Sequence, residues 1–260
     1  QKKGQAGTKR ETEVLERKFN DWAKYQNSRL DDALPAAVGR CLGLTSFTAY
    51  GRDDAGKRKR FVLEGGSIDV NGQGCLLSTE ECLLSPIQQR NPGFSRERIE
   101  ETLCAYLGVS TILWLHQGIA GDDTHGHIDD TARFINPTTI VACVEPNTDD
   151  ANHGPMKENL RRLRKMRDAH GKPFTIAELP LPGSREGGVR FENLRLPASY
   201  ANFYFANVGV LVPVFNDAND ARALKILEGL IPDRPIIPVY CRDLVWGLGT
   251  LHCMTQQQPR

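Results

Sequence analysis

What this sequence lacks narrows its function before any motif is read. It lacks charge of one dominant sign: 33 Lys and Arg against 32 Asp and Glu leave a net +1 over 260 residues. Whole-chain electrostatics therefore steers it to no nucleic acid and no membrane surface. It lacks a long apolar run, since the longest, around Val208 to Phe215, is too short to span a bilayer. The Lys/Arg-bearing N-terminus is followed by no apolar segment, so no signal peptide is legible and a cytoplasmic setting is expected. Residue 1 is Gln rather than Met, so a processed, trimmed or lost start is expected. Seven cysteines are scattered without a Cys-x-x-Cys pair, which argues for reduced thiols and against a disulfide framework or zinc knuckle. Neither Gly-x-Gly-x-x-Gly nor Gly-x-x-x-x-Gly-Lys-Ser/Thr occurs, which leaves a nucleotide cofactor without support. No metal and no organic cofactor is expected.

What is present is a repeat in the order of elements. One unit takes strands over 61–70 and 75–84, a helix opened by Ser95 as N-cap, and a strand at Thr111-Ile-Leu-Trp-Leu115. A second takes strands over 127–135 and 139–145, a helix near Met156 to Ala169 with Met156, Leu160 and Leu163 on one stripe, and a strand over 174–179. A third takes strands over 200–207 and 210–215, a helix near Ala218 to Leu230, and a strand over 236–240. A helix near Asp31 to Leu42 and a strand from Thr45 to Tyr50 read as the back half of a further unit. Before them the first eighteen residues are polar, with Val14 and Leu15 as the only strand hint. Such self-similarity points to radial or stacked repeats.

Two stretches carry chemistry. In Gly121-Asp-Asp-Thr-His-Gly-His-Ile-Asp-Asp130, His127 and Asp129 stand two residues apart, which on a strand puts both on one face. Near the C-terminus, Gly249-Thr-Leu-His-Cys-Met-Thr-Gln-Gln257 offers Cys253 in a polar, Gly-containing setting. Thiol, imidazole and carboxylate make a covalent-catalysis set. Each residue also has a plainer reading. Cys253 alone reads as an inert thiol, and His125, His127 and Asp129 as a metal chelate. Glu64 reads equally well as a buried carboxylate satisfied by backbone, and Asp122 and Asp123 as turn formers. The basic run from Arg161 to Arg167 alternates with the apolar helical stripe, so it reads as a solvated helix face rather than a nucleic-acid site.

The chain resembles the agmatine deiminase and bacterial peptidyl-arginine deiminase family of the guanidino-modifying (pentein) superfamily. The resemblance runs through Lys18-Phe-Asn-Asp-Trp-Ala-Lys-Tyr25, Glu64-Gly-Gly-Ser67, Thr79-Glu-Glu-Cys82, the 121–130 stretch, Ala198-Ser-Tyr-Ala-Asn202 and the 252–259 segment. It implies an α/β fold: a pentein propeller of repeated ββαβ units, here about three full units plus parts of others. All 260 residues then form a single deiminase domain. It implies Cys253 as nucleophile, His127 as general acid/base, and Asp129 as the carboxylate that grips a guanidinium. It also implies that Glu64 lies beside the site. Asp123 is a candidate for the substrate's far end, Trp114 and Trp246 for packing on it, and the 247–249 stretch, through Gly249, for close backbone approach.

The family also carries a Trp-x-Arg-Asp-x-Gly-Pro motif upstream of its Phe-Asn-x-Trp segment, supplying a second guanidinium-binding aspartate. No Trp-x-Arg-Asp precedes Phe19, so the expectation is a chain incomplete at its N-terminus. The expected reaction converts agmatine and water to N-carbamoylputrescine and ammonia through a thiouronium on cysteine. Peptidyl arginine is the alternative substrate, amidino transfer an alternative outcome, and a non-catalytic guanidinium-binding fragment the reading from another class. The expected partners are a small guanidino molecule or peptidyl arginine and, across open strand edges, further copies of the chain.

Overall fold

The computed structural model describes residues 12–183 and 188–258; most of the polar N-terminal stretch lies outside them. Strand β1 (Val14–Glu16) is followed by α1 (Arg29–Asp32), α2 (Leu34–Leu42) and β2 (Ser46–Thr48), which pairs in parallel with β1. The expected single helix over 31–42 is two, broken at Ala33 ahead of Pro35 and closed by Gly43 in the left-handed region at φ 64°. A hairpin follows, β3 (Tyr50–Arg52) with β4 (Arg58–Arg60).

The repeat is present in the structure. In the first unit β5 (Asp69–Val70) pairs antiparallel with β6 (Cys75–Thr79). The short α3 (Glu80–Leu83) and α4 (Arg96–Leu107) then cross to β7 (Thr111–Leu115), parallel to β6. In the second, β8 (Ala132–Asn136) and β9 (Thr139–Val144) lead through α5 (His153–Lys165) to β10 (Thr175–Pro180). A two-stranded ribbon, β11 (Arg190–Phe191) with β12 (Leu194–Arg195), precedes the third unit. That unit is β13 (Tyr204–Phe205), β14 (Val210–Val214), α6 (Asp220–Leu230) and β15 (Ile236–Tyr240). Each unit makes its own three-stranded sheet with one antiparallel and one parallel pair. A parallel pair needs a crossover, and the helix supplies it. No helix among the described residues is long and apolar enough to cross a membrane.

Middle strands are covered on both faces, which explains their unbroken apolar runs. All five residues of β6 are buried. Leu76 packs with Ile99 and Leu103 of α4, while Cys75 and Leu77 join Ile128, Ala132 and Ile140 on the other side. Strand β9 does the same, sending Ile140 and Ala142 to one cluster and Val141 and Cys143 to another with Tyr200, Phe203 and Phe215. Each Leu, Ile, Val or Phe among them contributes roughly 1.5–3 kcal/mol by burial. Helix α4 is capped as its sequence predicts: the Ser95 hydroxyl accepts from Arg98 N–H, and Gly108 ends it at φ 63°.

Several expected strands differ. The one expected over 75–84 ends at Thr79, whose hydroxyl caps α3 by accepting from Cys82 N–H, and the one expected over 45–50 is broken at Ala49. Three others all border the same place. The strand expected over 61–70 is interrupted by a 3-10 turn at Gly65–Ser67. The one expected over 127–135 begins only at Ala132, so His127 and Asp129 are not on a strand. The one expected over 200–207 shrinks to Tyr204–Phe205. Irregular backbone in all three units converges where the polar residues collect.

Candidate active site

Asp122 builds the first part of the site. Its Oδ1 accepts Thr124 N–H at 2.8 Å, and its Oδ2 accepts Gly126 N–H at 2.9 Å and His127 N–H at 3.0 Å. This Asx turn sends the chain through positive φ at His125 (64°) and Gly126 (88°), which is why no strand forms there. The carbonyl of Gly66 then accepts Ile128 and Asp129 N–H at 3.1 and 3.2 Å. A Cβ on Gly66 would stand 2.6 Å from His127 Nδ1 and 2.8 Å from Asp129 Oδ2. Only glycine lets the Glu64–Ser67 segment approach so closely, and that approach brings His127 and Asp129 together without a strand.

His127 Nε2 stands 3.7 Å from Glu64 Oε2, and His127 Nδ1 stands 4.0 Å from Asp129 Oδ1. Glu64, His127 and Asp129 are all buried, and Glu64 Oε2, His127 Nε2 and Asp129 Oδ1 have no hydrogen-bond partner among the described residues. Burial alone would lower the pKa of His127, but Glu64 and Asp129 outweigh it and raise it, which favours the charged imidazolium. Burial likewise pulls Glu64 upward, and His127 and Arg90 together hold it below the usual carboxylate range. Arg90 was not visible as a site residue in the sequence. It is 1% exposed, and its Nε donates to Glu64 Oε1 at 3.0 Å. Its other nitrogens donate to the carbonyls of Gln88 and Thr124, so one guanidinium ties Glu64 to the loop that carries His127.

On the other side, Asp129 Oδ2 meets His252 Nδ1 at 2.8 Å and Cys253 Sγ at 3.5 Å. Burial works to raise Asp129, but the His252 hydrogen bond and the charges of His252, His127 and Arg133 leave it lowered. Its neighbour Asp130 is pushed well above the carboxylate range by burial and by Asp129's charge. Cys253 is open to solvent as a residue, yet its sulfur is enclosed by Asp129 and Asn202. That enclosure, with the charges of Asp129 and Asp130, pushes the thiol pKa up, while the Asn202 hydrogen bond works against it. Gly249 touches the cysteine itself: a Cβ there would lie 2.8 Å from Cys253 Cβ and 2.9 Å from Sγ. Asn202 and His252 complete the cluster; both lay in the quoted segments 198–202 and 252–259, but neither was singled out.

The structure therefore brings Cys253, His127, Asp129, Glu64 and Gly249 together. Asp123 is engaged elsewhere, its carboxylate taking the Lys24 ammonium on one oxygen and the Tyr25 hydroxyl at 2.6 Å on the other. Trp114 is a correction. Its side chain faces α4, where Nε1 donates to Glu100 at 2.6 Å and the Arg96 guanidinium lies 5.4 Å from the ring. Alternation along β7 puts it in the core cluster with Leu76 and Leu103. Trp246 is half exposed and packs on Phe191. His125 turns towards Ser85 and Glu81, so a chelate of His125, His127 and Asp129 does not form. Two other triads have ligand atoms within 4.8 Å of one another: Glu64, Cys82 and His127, and Asp129, Asp130 and Cys253. An ion on either would compete with the imidazole or the thiol.

Comparison with known proteins places this geometry in context. Residues 5–259 match the model of the Porphyromonas-type peptidyl-arginine deiminases. An agmatine deiminase of Pseudomonas aeruginosa (strain LESB58) is 35% identical over 93% of this chain and 68% of its own length. One from Ectopseudomonas mendocina is 38% identical over the same shares. Among solved structures, the agmatine deiminase of Enterococcus faecalis superposes with a TM-score of 0.85 at 33% identity, covering 96% of this chain and 70% of that one. An agmatine deiminase of C. jejuni with substrate bound superposes with a TM-score of 0.80 at 33% identity, covering 94% and 67%.

Proposed function

Because this chain belongs to the Porphyromonas-type peptidyl-arginine deiminase family, we propose that it is an agmatine deiminase, hydrolysing agmatine to N-carbamoylputrescine and ammonia. The observation that carries the reading is the convergence of the Cys253 thiol, the His127 imidazole and the buried carboxylates of Asp129 and Glu64, in a chain whose relatives include named agmatine deiminases. The described residues are one deiminase domain, with its ββαβ units as blades of a pentein propeller. Seven free cysteines support a reducing, cytoplasmic setting. Exposed Leu30, Leu34, Val38 and Leu42, on one side of α1 and α2, support self-association.

The proposed steps follow from charge. A guanidinium keeps its proton at any pH a protein meets, so the substrate is a planar cation and Asp129 its acceptor. The resting thiol is held protonated by its burial and by the carboxylates beside it. The arriving cation offsets those charges, and the thiol gives up its proton to solvent. Thiolate then bonds to the guanidinium carbon. His127, kept as imidazolium by Glu64 and Asp129, protonates the departing nitrogen and ammonia leaves, giving a thiouronium. The now neutral His127 takes a proton from water as it attacks the same carbon. Collapse expels the sulfur, which takes up the remaining hydroxyl proton to restore the resting thiol, and releases the ureido product.

The competing substrate is arginine within a peptide. Ureido product formed from agmatine and from an internal arginine peptide separates the two. The expected result is a kcat/KM for agmatine at least about tenfold higher; the reverse order would make peptidyl arginine the substrate.

A further inference from the structure

We propose that Asn202 is the residue that aims and activates the Cys253 sulfur, donating an amide N–H to it while its carbonyl oxygen anchors the loop that carries the cysteine. The inference rests on the reading of Cys253 as nucleophile and adds to it a residue with no role so far.

Asn202 is fully buried, as are Ser199, Tyr200, Ala201 and Phe203 around it. Its two side-chain ends face opposite kinds of partner. The oxygen accepts from Thr250 Oγ1 at 2.7 Å, from His252 N–H at 2.9 Å and from Cys253 N–H at 3.4 Å. The nitrogen faces Asp130 Oδ1 at 3.0 Å, Cys253 Sγ at 3.1 Å and Asp129 Oδ2 at 3.3 Å. This fixes the amide orientation, because turning it over would set N–H against N–H and oxygen against carboxylate. The backbone carbonyl of Asn202 adds a bond from His252 N–H at 3.2 Å, so the residue clips the 250–253 turn onto the aspartate pair.

The choice of an amide has a physical reason. The sulfur sits beside two acidic side chains, and among the described residues Asn202 Nδ2 is the one side-chain donor within hydrogen-bond distance of it. His252, the nearest imidazole in sequence, is committed to Asp129, and His127 faces Glu64 and the far oxygen of Asp129. A neutral donor stabilises the thiolate without adding charge to the guanidinium site. An aspartate at 202 would keep the shape and the three contacts to its oxygen, remove the donor, and place another acid against Asp129, Asp130 and the sulfur.

The test is the rate at which iodoacetamide alkylates Cys253 across neutral to alkaline pH. It is followed by mass spectrometry on the tryptic peptide 243–260, in which Cys253 is the only cysteine. In Asn202→Asp the rate is expected to fall about tenfold below the thiol pKa, equivalent to one pKa unit, with kcat falling at least as far and KM little changed. Thr250→Val, which removes one of the three donors to the Asn202 oxygen, is expected to slow alkylation in the same direction by about fivefold, and it keeps the question open to refutation if the first variant does not fold. Unchanged alkylation in a folded Asn202→Asp variant whose turnover has fallen would overturn the proposal, because a purely structural role leaves the thiol alone. Absence of agmatine turnover in the wild-type chain would instead sink the activity reading, and the alkylation comparison would stand.

Discussion

Asp129→Asn is expected to reduce kcat/KM for agmatine by about 10²–10³-fold or more. The side chain is completely buried and stands between the imidazole and the thiol, 4.0 Å from His127 Nδ1 and 3.5 Å from Cys253 Sγ. Asparagine keeps the shape but removes the negative charge that receives the substrate cation. Truncating one partner of a buried charge pair costs about 3–5 kcal/mol, and each 1.4 kcal/mol or so is a factor of ten in rate. The loss is expected in both kcat and KM, since the same carboxylate holds the ground state and raises the His127 pKa. Steady-state ureido formation checks this. Activity within about tenfold of wild type would remove Asp129 from the guanidinium clamp.

Arg90→Ala is the substitution expected to cost most stability. It leaves Glu64 buried, with its charge opposed by the His127 imidazole 3.7 Å away and by the charge of Arg17. It also frees the carbonyls of Gln88 and Thr124, which Arg90 ties down. The expected loss is about 3–5 kcal/mol, read as a fall in thermal midpoint on the order of 10 °C. The pH dependence has a definite sign. Glu64 is depressed in the folded protein, so its contribution is present above its unfolded pKa of about 4.3 and is lost as pH falls through the lower folded value. Arg90→Ala should therefore lose most near neutral pH and least in acid. A midpoint within about 2 °C of wild type at neutral pH would show that the buried pair does not hold this part of the fold.

How much of this was legible in the sequence depends on what fixes each element. Strands set by local alternation and punctuation were read to the residue: Thr111–Leu115 and Ile236–Tyr240 occupy the expected positions. Helix α4 began after its Ser95 cap for the same local reason. The strand expected through His127 failed because two non-local facts compete with strand propensity. Asp122 closes a turn on His127, and Gly66, some sixty residues earlier, accepts the Ile128 and Asp129 amides that a strand would have used. The pairing of His127 with Asp129 was expected for the wrong reason: close approach of Gly66 joins them, not a shared strand face. Trp114 was misplaced because an indole in a strand reads the same whether it faces a pocket or a helix; its partner Glu100 lies on α4. Arg90 gave no signal, since arginine is rarely buried without a partner and the sequence does not name the partner. Asn202 and His252 stood inside quoted segments, but only their contacts with Asp129 and Cys253 distinguish them from loop residues.

The most direct test of the central claim is release of ammonia and N-carbamoylputrescine from agmatine by this chain, with Cys253→Ala measured alongside. The account predicts stoichiometric formation of both products by the wild-type chain and none above background with the alanine variant. Equal product formation by the two proteins, or none by the wild type, would contradict it.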